Sequence, residues 1–97
     1  MKISKSVIEE YKVMCPASAQ KSGTDEIIEY KIRRAVDLGK VVDIRGEEFH
    51  IQYFYNIFVR KNNSVVKMYK SNSNDRYINV SERVKQKYDL IHSKVLV

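Results

Sequence analysis

Proline and cysteine each occur once in the 97-residue chain, and glycine three times. So little Gly and Pro excludes a long linker or a low-complexity tail, and the length fits one domain over residues 1–97. The lone Cys15 cannot close an internal disulfide, which fits a reducing, cytoplasmic compartment. No apolar run approaches the roughly 18–20 residues that a membrane span needs, so no membrane partner is expected. The opening MKISKSVIEEYK lacks the apolar stretch of a signal peptide, because Glu9 and Glu10 interrupt it.

Catalytic signatures are missing too. Cys15, His50 and His92 have none of the spacing of a zinc site, and Cys15 directly before Pro16 carries no local signature of a nucleophile. Asp43, Glu47 and Glu48 lie close together, but Phe49 and His50 follow them where a magnesium-dependent nuclease of the restriction-enzyme type needs an acid and a lysine. No catalytic residue, metal or cofactor is therefore expected.

Acidic residues are scarce in the second half. Residues 1–48 carry nine Lys or Arg and nine Asp or Glu, whereas residues 49–97 carry nine against three. The whole excess of +6 thus lies in the second half. Such asymmetry points to a polyanionic or acidic partner. The plainer alternative is that the charge only keeps a small protein soluble.

The apolar pattern predicts an α+β fold: a three- to four-stranded antiparallel meander, a helix before it, and a C-terminal helix packed on one face. Residues 6–14 read as a short helix opened by Ser6 and Glu9, with a strand as the alternative; Pro16 ends it. Residues 17–23 read as a loop, so the segment 1–23 is expected to be partly mobile. The clearest helix spans residues 25–38. Thr24 or Ser22 caps it, Ile28, Ile32, Ala35 and Val36 form its apolar face, and Gly39 suits the left-handed position after it.

The period then changes from 3.6 to 2. A short run from Val41 to Arg45 leads to a turn at Gly46. From Phe49 to Arg60 every second residue is apolar, which reads as one long strand with a bend near Asn56. On that reading Phe54 and Phe58 point away from the main apolar face: the favoured expectation is a second core layer under the N-terminal segment, and exposure instead would point to a homodimer or a protein target. Lys61-Asn62-Asn63-Ser64 closes a hairpin onto residues 65–70. A loop over 71–75 and a short strand over 76–80 follow. Ser81 and Glu82 open the last helix, with Val84, Tyr88, Ile91 and Val95 as its buried stripe.

Binding a phosphate backbone needs cations at repeated spacing, and single strands add a need for aromatic faces. Arg60, Lys61, Lys67, Lys70 and Arg76 surround the hairpin, interleaved with Tyr69 and Tyr77, and Arg83 and Lys87 follow on the last helix. These nine residues are the candidate nucleic-acid contacts. The expectation is a small basic, non-enzymatic module that contacts RNA or DNA backbone through its C-terminal half. One alternative is a protein-binding regulator or inhibitor with an acidic partner, such as an accessory protein of a virus or mobile element. A second is a metal-free ribonuclease toxin using Arg60, Arg76, Tyr77 and His50.

Overall fold

The computed structural model describes residues 1–72 and 77–92. In chain order its elements are β1 (Lys2–Ile3), α1 (Lys5–Met14), α2 (Pro16–Ser22), α3 (Asp25–Leu38), β2 (Lys40–Arg45), β3 (Glu48–Tyr53), β4 (Asn56–Lys61), β5 (Ser64–Lys70) and α4 (Glu82–Ile91). One sheet runs in the order β1-β5-β4-β3-β2. Strands β2 to β5 form an antiparallel meander, and β1 pairs parallel with β5. The α+β class, the helix before the meander and the helix after it are as the sequence predicts.

Three two-residue loops build the meander: Gly46–Glu47, Phe54–Tyr55 and Asn62–Asn63, closed by the pairs Arg45↔Glu48, Tyr53↔Asn56 and Lys61↔Ser64. The first residue of each loop has positive φ: 60° at Gly46, 57° at Phe54 and 54° at Asn62. Glycine and asparagine adopt that conformation readily; phenylalanine does not. Neighbours hold Phe54 in place. Its N–H donates to the Ile78 carbonyl at 2.7 Å, and its own carbonyl accepts from Gln52 Nε2 at 2.8 Å. The ring lies edge-on to Tyr53 and Tyr77, with centroids 4.6 and 5.4 Å away.

This middle turn corrects the single strand expected from Phe49 to Arg60. A two-residue loop reverses the alternation, so Phe49, Ile51 and Tyr53 share a face with Asn56, Phe58 and Arg60. Phe58 is consequently a residue of the main core, 1% exposed, rather than a residue of the opposite face. Ile57 and Val59 turn to the other face. Two bulges extend the effect. Val42 is the extra residue of β2 and Val66 that of β5. Val65 and Met68, three apart, therefore both enter the core, while Lys67 and Tyr69 face the opposite way.

The core lies between the sheet and α1 to α3. Val7, Ile8 and Tyr11 of α1 and Ile28, Ile32, Ala35 and Val36 of α3 meet Ile51, Phe58, Val65 and Met68 of the sheet. Each fully buried side chain of this size contributes about 1.5–3 kcal/mol. Helix α1 starts one residue before the predicted Ser6, with Ser4 at its N-cap. Pro16 does not precede a loop. It occupies the first turn of α2, where its missing N–H costs nothing, and residues 17–23 are helix plus a Gly23 cap at φ 78°. Helix α3 matches its predicted bounds, and the Thr24 hydroxyl accepts from the Ile27 N–H.

Gly39 ends α3 differently from expectation. Its φ of −73° is ordinary, so the left-handed conformation is not its reason for being glycine. A Cβ there would lie 2.7 Å from the Ala35 and Gln52 carbonyl oxygens and 2.8 Å from Ile51 Cγ2. Close approach of α3 to β3 demands the glycine.

Helix α4 is capped by Ser81, as predicted, but its apolar stripe is not what docks. Val84 and Ile91 are exposed, and Val95 lies outside the described residues. The helix meets α3 through polar groups. Tyr30 donates to Asp89 at 2.6 Å, Arg34 donates to both Asp89 oxygens at 3.2 and 3.0 Å, and Tyr88 donates to Asp37. Of the short strand expected at residues 76–80, the described part holds one bridge, Ile78 to Phe54.

Candidate nucleic-acid interface

The helices that build the core pack on one face of the sheet. Register places Lys40, Asp43 and Arg45 of β2, Glu48, His50 and Gln52 of β3, Ile57, Val59 and Lys61 of β4, and Lys67 and Tyr69 of β5 on the other. Lys2 joins this face through its pairing with Ser64. Five cations thus stand against two carboxylates. One carboxylate, Asp43, is already engaged by Arg45 at 2.7 Å, and that guanidinium holds the Asp43 carboxyl below the usual carboxylate range. Lys2, Lys40, Lys61 and Lys67 are exposed and have no carboxylate partner among the described residues. Lys61 and Lys67 sit on neighbouring strands, two residues out of register, so their Cα atoms are about 8 Å apart.

A trough of about 760 Å³ crosses this face. Gln52 and Ile57 form its floor, with Val42, Tyr69 and Ile78 on its sides and Lys40 and Arg45 at its rim. His50 is buried beneath it and accounts for the position of Tyr69. Its Nδ1 lies 2.7 Å from the Tyr69 hydroxyl, and its Nε2 lies 3.4 Å from Glu48. The two rings meet edge to face at 5.9 Å. Such a bond restrains the orientation of the Tyr69 ring. His50 is therefore a packed, hydrogen-bonded residue of the sheet.

The nine predicted contacts do not form one surface. Lys61, Lys67 and Tyr69 lie on the open face. Arg60 points to the helix side, where its Nε donates to the Asn62 carbonyl at 3.2 Å. Lys70 shares the rank of Asn56 and donates to its Oδ1 at 2.7 Å, and it also lines the trough. Tyr77, partly exposed, packs against Tyr55 with centroids 4.5 Å apart and the rings tilted by 49°, next in sequence to Ile78 of the trough. Arg83 and Lys87 are exposed on α4, in the helix layer. Arg76 lies outside the described residues. Arg60 and His50 stand on opposite faces, so they do not share the site a ribonuclease would need.

Sequence reasoning missed Lys2, Lys40 and Arg45, which come from the charge-balanced first half. Their contribution depends on register, and in particular on the parallel pairing of β1, which leaves no mark on periodicity. Tyr55 was detectable. It follows Phe54 at the midpoint between Gly46 and Asn62, the position a second two-residue turn would occupy.

Among the described residues no three His, Cys, Asp or Glu side chains gather closely enough to hold a metal, and no helix is long and apolar enough to cross a membrane. Comparison with protein-family models, with curated proteins and with solved structures finds no match.

Proposed function

We propose that the protein is a non-enzymatic module that binds the backbone of single-stranded RNA or DNA on the open face of its sheet. The observation that supports this reading is a sheet face, opposite helices α1 to α3, that carries four exposed lysines with no carboxylate partner among the described residues, together with a trough lined by Lys40 and Tyr69. The lysines supply phosphate contacts, and Tyr69, with Tyr77 at the trough's end, supplies stacking surfaces. A single strand suits a shallow sheet face, because its bases are free to splay onto it. The site residues are Lys2, Lys40, Lys61, Lys67, Tyr69 and Tyr77; Arg83 and Lys87 belong to α4 and not to the sheet.

A charge-reversal pair tests this. Lys61→Glu with Lys67→Glu should weaken binding of a short single-stranded oligonucleotide at least tenfold and flatten its salt dependence. Arg83→Glu with Lys87→Glu changes net charge equally and should have a much smaller effect. Equal losses from the two pairs would mean that net charge, and not this face, drives binding.

One observation favours a protein partner as the second reading. Strand β2 is an edge of the sheet, and Val41, Ile44 and Phe49 beside it are exposed. A partner strand could extend the sheet there. Proline at Ile44 would abolish such a complex and spare nucleic-acid binding.

A further inference from the structure

A second cavity, of about 290 Å³, lies on the helix side of the sheet, away from the open face. Lys31 and Arg34 of α3 and Lys85 of α4 line it, together with the hydroxyl-bearing residues Tyr11, Ser18 and Tyr53; no carboxylate does. We propose that this cavity is a binding site for a phosphate dianion, either inorganic phosphate or the phosphate group of a small monoester.

Three observations support it. First, the positive charge is concentrated and only partly compensated. Asp89 engages Arg34 and Glu82 engages Lys85 from outside the lining, but Lys31 has no carboxylate partner among the described residues. Lys31 Nζ rests instead against the carbonyl and hydroxyl of Ser18, at 3.3 and 3.4 Å. Burial and the charges of Arg34 and Lys21 push its pKa down, as expected of a cation that lacks a counter-ion.

Second, donors are in surplus. The Nε of Arg34 is buried without an acceptor among the described residues, which is costly unless something supplies one. The Tyr11 and Ser18 hydroxyls, 2.7 Å apart, have one shared hydrogen bond and can turn a proton toward an anion.

Third, the frame is rigid. The strained turn at Phe54 closes one side, and Lys85 is held over the Phe54 ring at 5.3 Å with its side chain only 15% exposed. The cavity volume falls just below the range for drug-sized ligands, so it suits a phosphate with a small substituent. A cluster of cations and hydroxyls in a partly dehydrated cavity favours a doubly charged tetrahedral oxoanion over chloride, because several donors act on one centre.

Cys15 lines the same cavity and reports on it. Alkylation of Cys15 by iodoacetamide, followed by mass spectrometry at constant ionic strength, should slow several-fold when inorganic phosphate replaces chloride. Calorimetry should show one phosphate bound per chain, weakened about tenfold or more by Lys31→Gln and by Lys85→Gln. Glycerol 3-phosphate set against glycerol tells the sources apart. Protection by the monoester but not by inorganic phosphate assigns the site to a monoester, and equal protection assigns it to free phosphate. A Cys15 rate unchanged by both ligands overturns the proposal, and so does phosphate binding that both variants leave intact. The protection assay uses the unaltered chain, so a misfolded variant would not leave the question open. It also does not depend on the open face, whose failure to bind oligonucleotides would leave this result standing.

Discussion

Asp89→Ala removes one of the two carboxylates that tie α4 to α3. The carboxylate accepts from the Tyr30 hydroxyl at 2.6 Å and from Arg34 at 3.0 and 3.2 Å. Arg34 and Asp89 side chains are 13% and 12% exposed, so the pair is largely desolvated. Breaking a buried pair from one side costs about 3–5 kcal/mol, because the surviving charge stays buried. Residual exposure places this one at the lower end, about 3 kcal/mol. For a domain of this size, that is a large part of a total near 5–15 kcal/mol. The melting temperature should fall by about 12–24 °C. Urea unfolding at neutral pH measures the change directly, with the slope unaltered. The pair Arg34→Met with Asp89→Leu, which removes both charges, should be less destabilising than Asp89→Ala alone. A loss below about 0.5 kcal/mol for Asp89→Ala, the range of ordinary surface changes, would refute the buried-pair argument.

Other expectations follow from the same geometry. Phe58→Ala should cost about 3–5 kcal/mol and Phe49→Ala, at a residue 42% exposed, about 1 kcal/mol, by urea unfolding; the reverse order would contradict the Phe54–Tyr55 turn. Gly39→Ala should destabilise by about 1–3 kcal/mol, because its Cβ meets two carbonyl oxygens, whereas a neutral effect would show that α3 can move off β3. Stability should also fall at high pH. Burial first, and then the Asp89 carboxylate, pushes Tyr30 from an ordinary value of 10.0 up to about 12. An unfolded tyrosine loses its proton near pH 10 while the folded one keeps it, so this stabilisation is complete below 10 and is lost as pH rises toward 12. Tyr11, Tyr53 and Tyr88 shift in the same direction, so urea midpoints should drop between about pH 10 and about pH 12, and Tyr30→Phe should shrink the drop.

Elements whose determinants are local were legible in the sequence. Helix α3 carries its cap, its first-turn acids and its apolar face within its own residues, and its bounds were predicted. The turns at Gly46 and Asn62 announce themselves by residue type. The turn at Phe54 does not, since its conformation is imposed by Gln52, Tyr77 and Ile78, two of them more than twenty residues away. Overlooking it inverted the faces of Phe58, Ile57 and Val59. Pro16 signals a boundary, but its chemistry serves a helix start as well as a stop. Helix α4 docks through Lys85, Tyr88 and Asp89, so a hydrophobic stripe was the wrong marker. The candidate interface was half legible for a related reason. Lys61, Lys67 and Tyr69 belong to the hairpin that the charge pattern picked out, while Lys2 and Lys40 reach it only through strand order.

The most direct test is a fluorescence anisotropy titration of the purified chain with short single-stranded RNA and DNA, at low and at physiological salt. Binding through four lysines predicts submicromolar affinity at low salt and a slope of about −3 in log K against log salt for a single strand, lost on Lys61→Glu with Lys67→Glu. Absence of binding at low salt would contradict the account. The open face would then be a solvated sheet surface, and the exposed β2 edge would become the site to pursue.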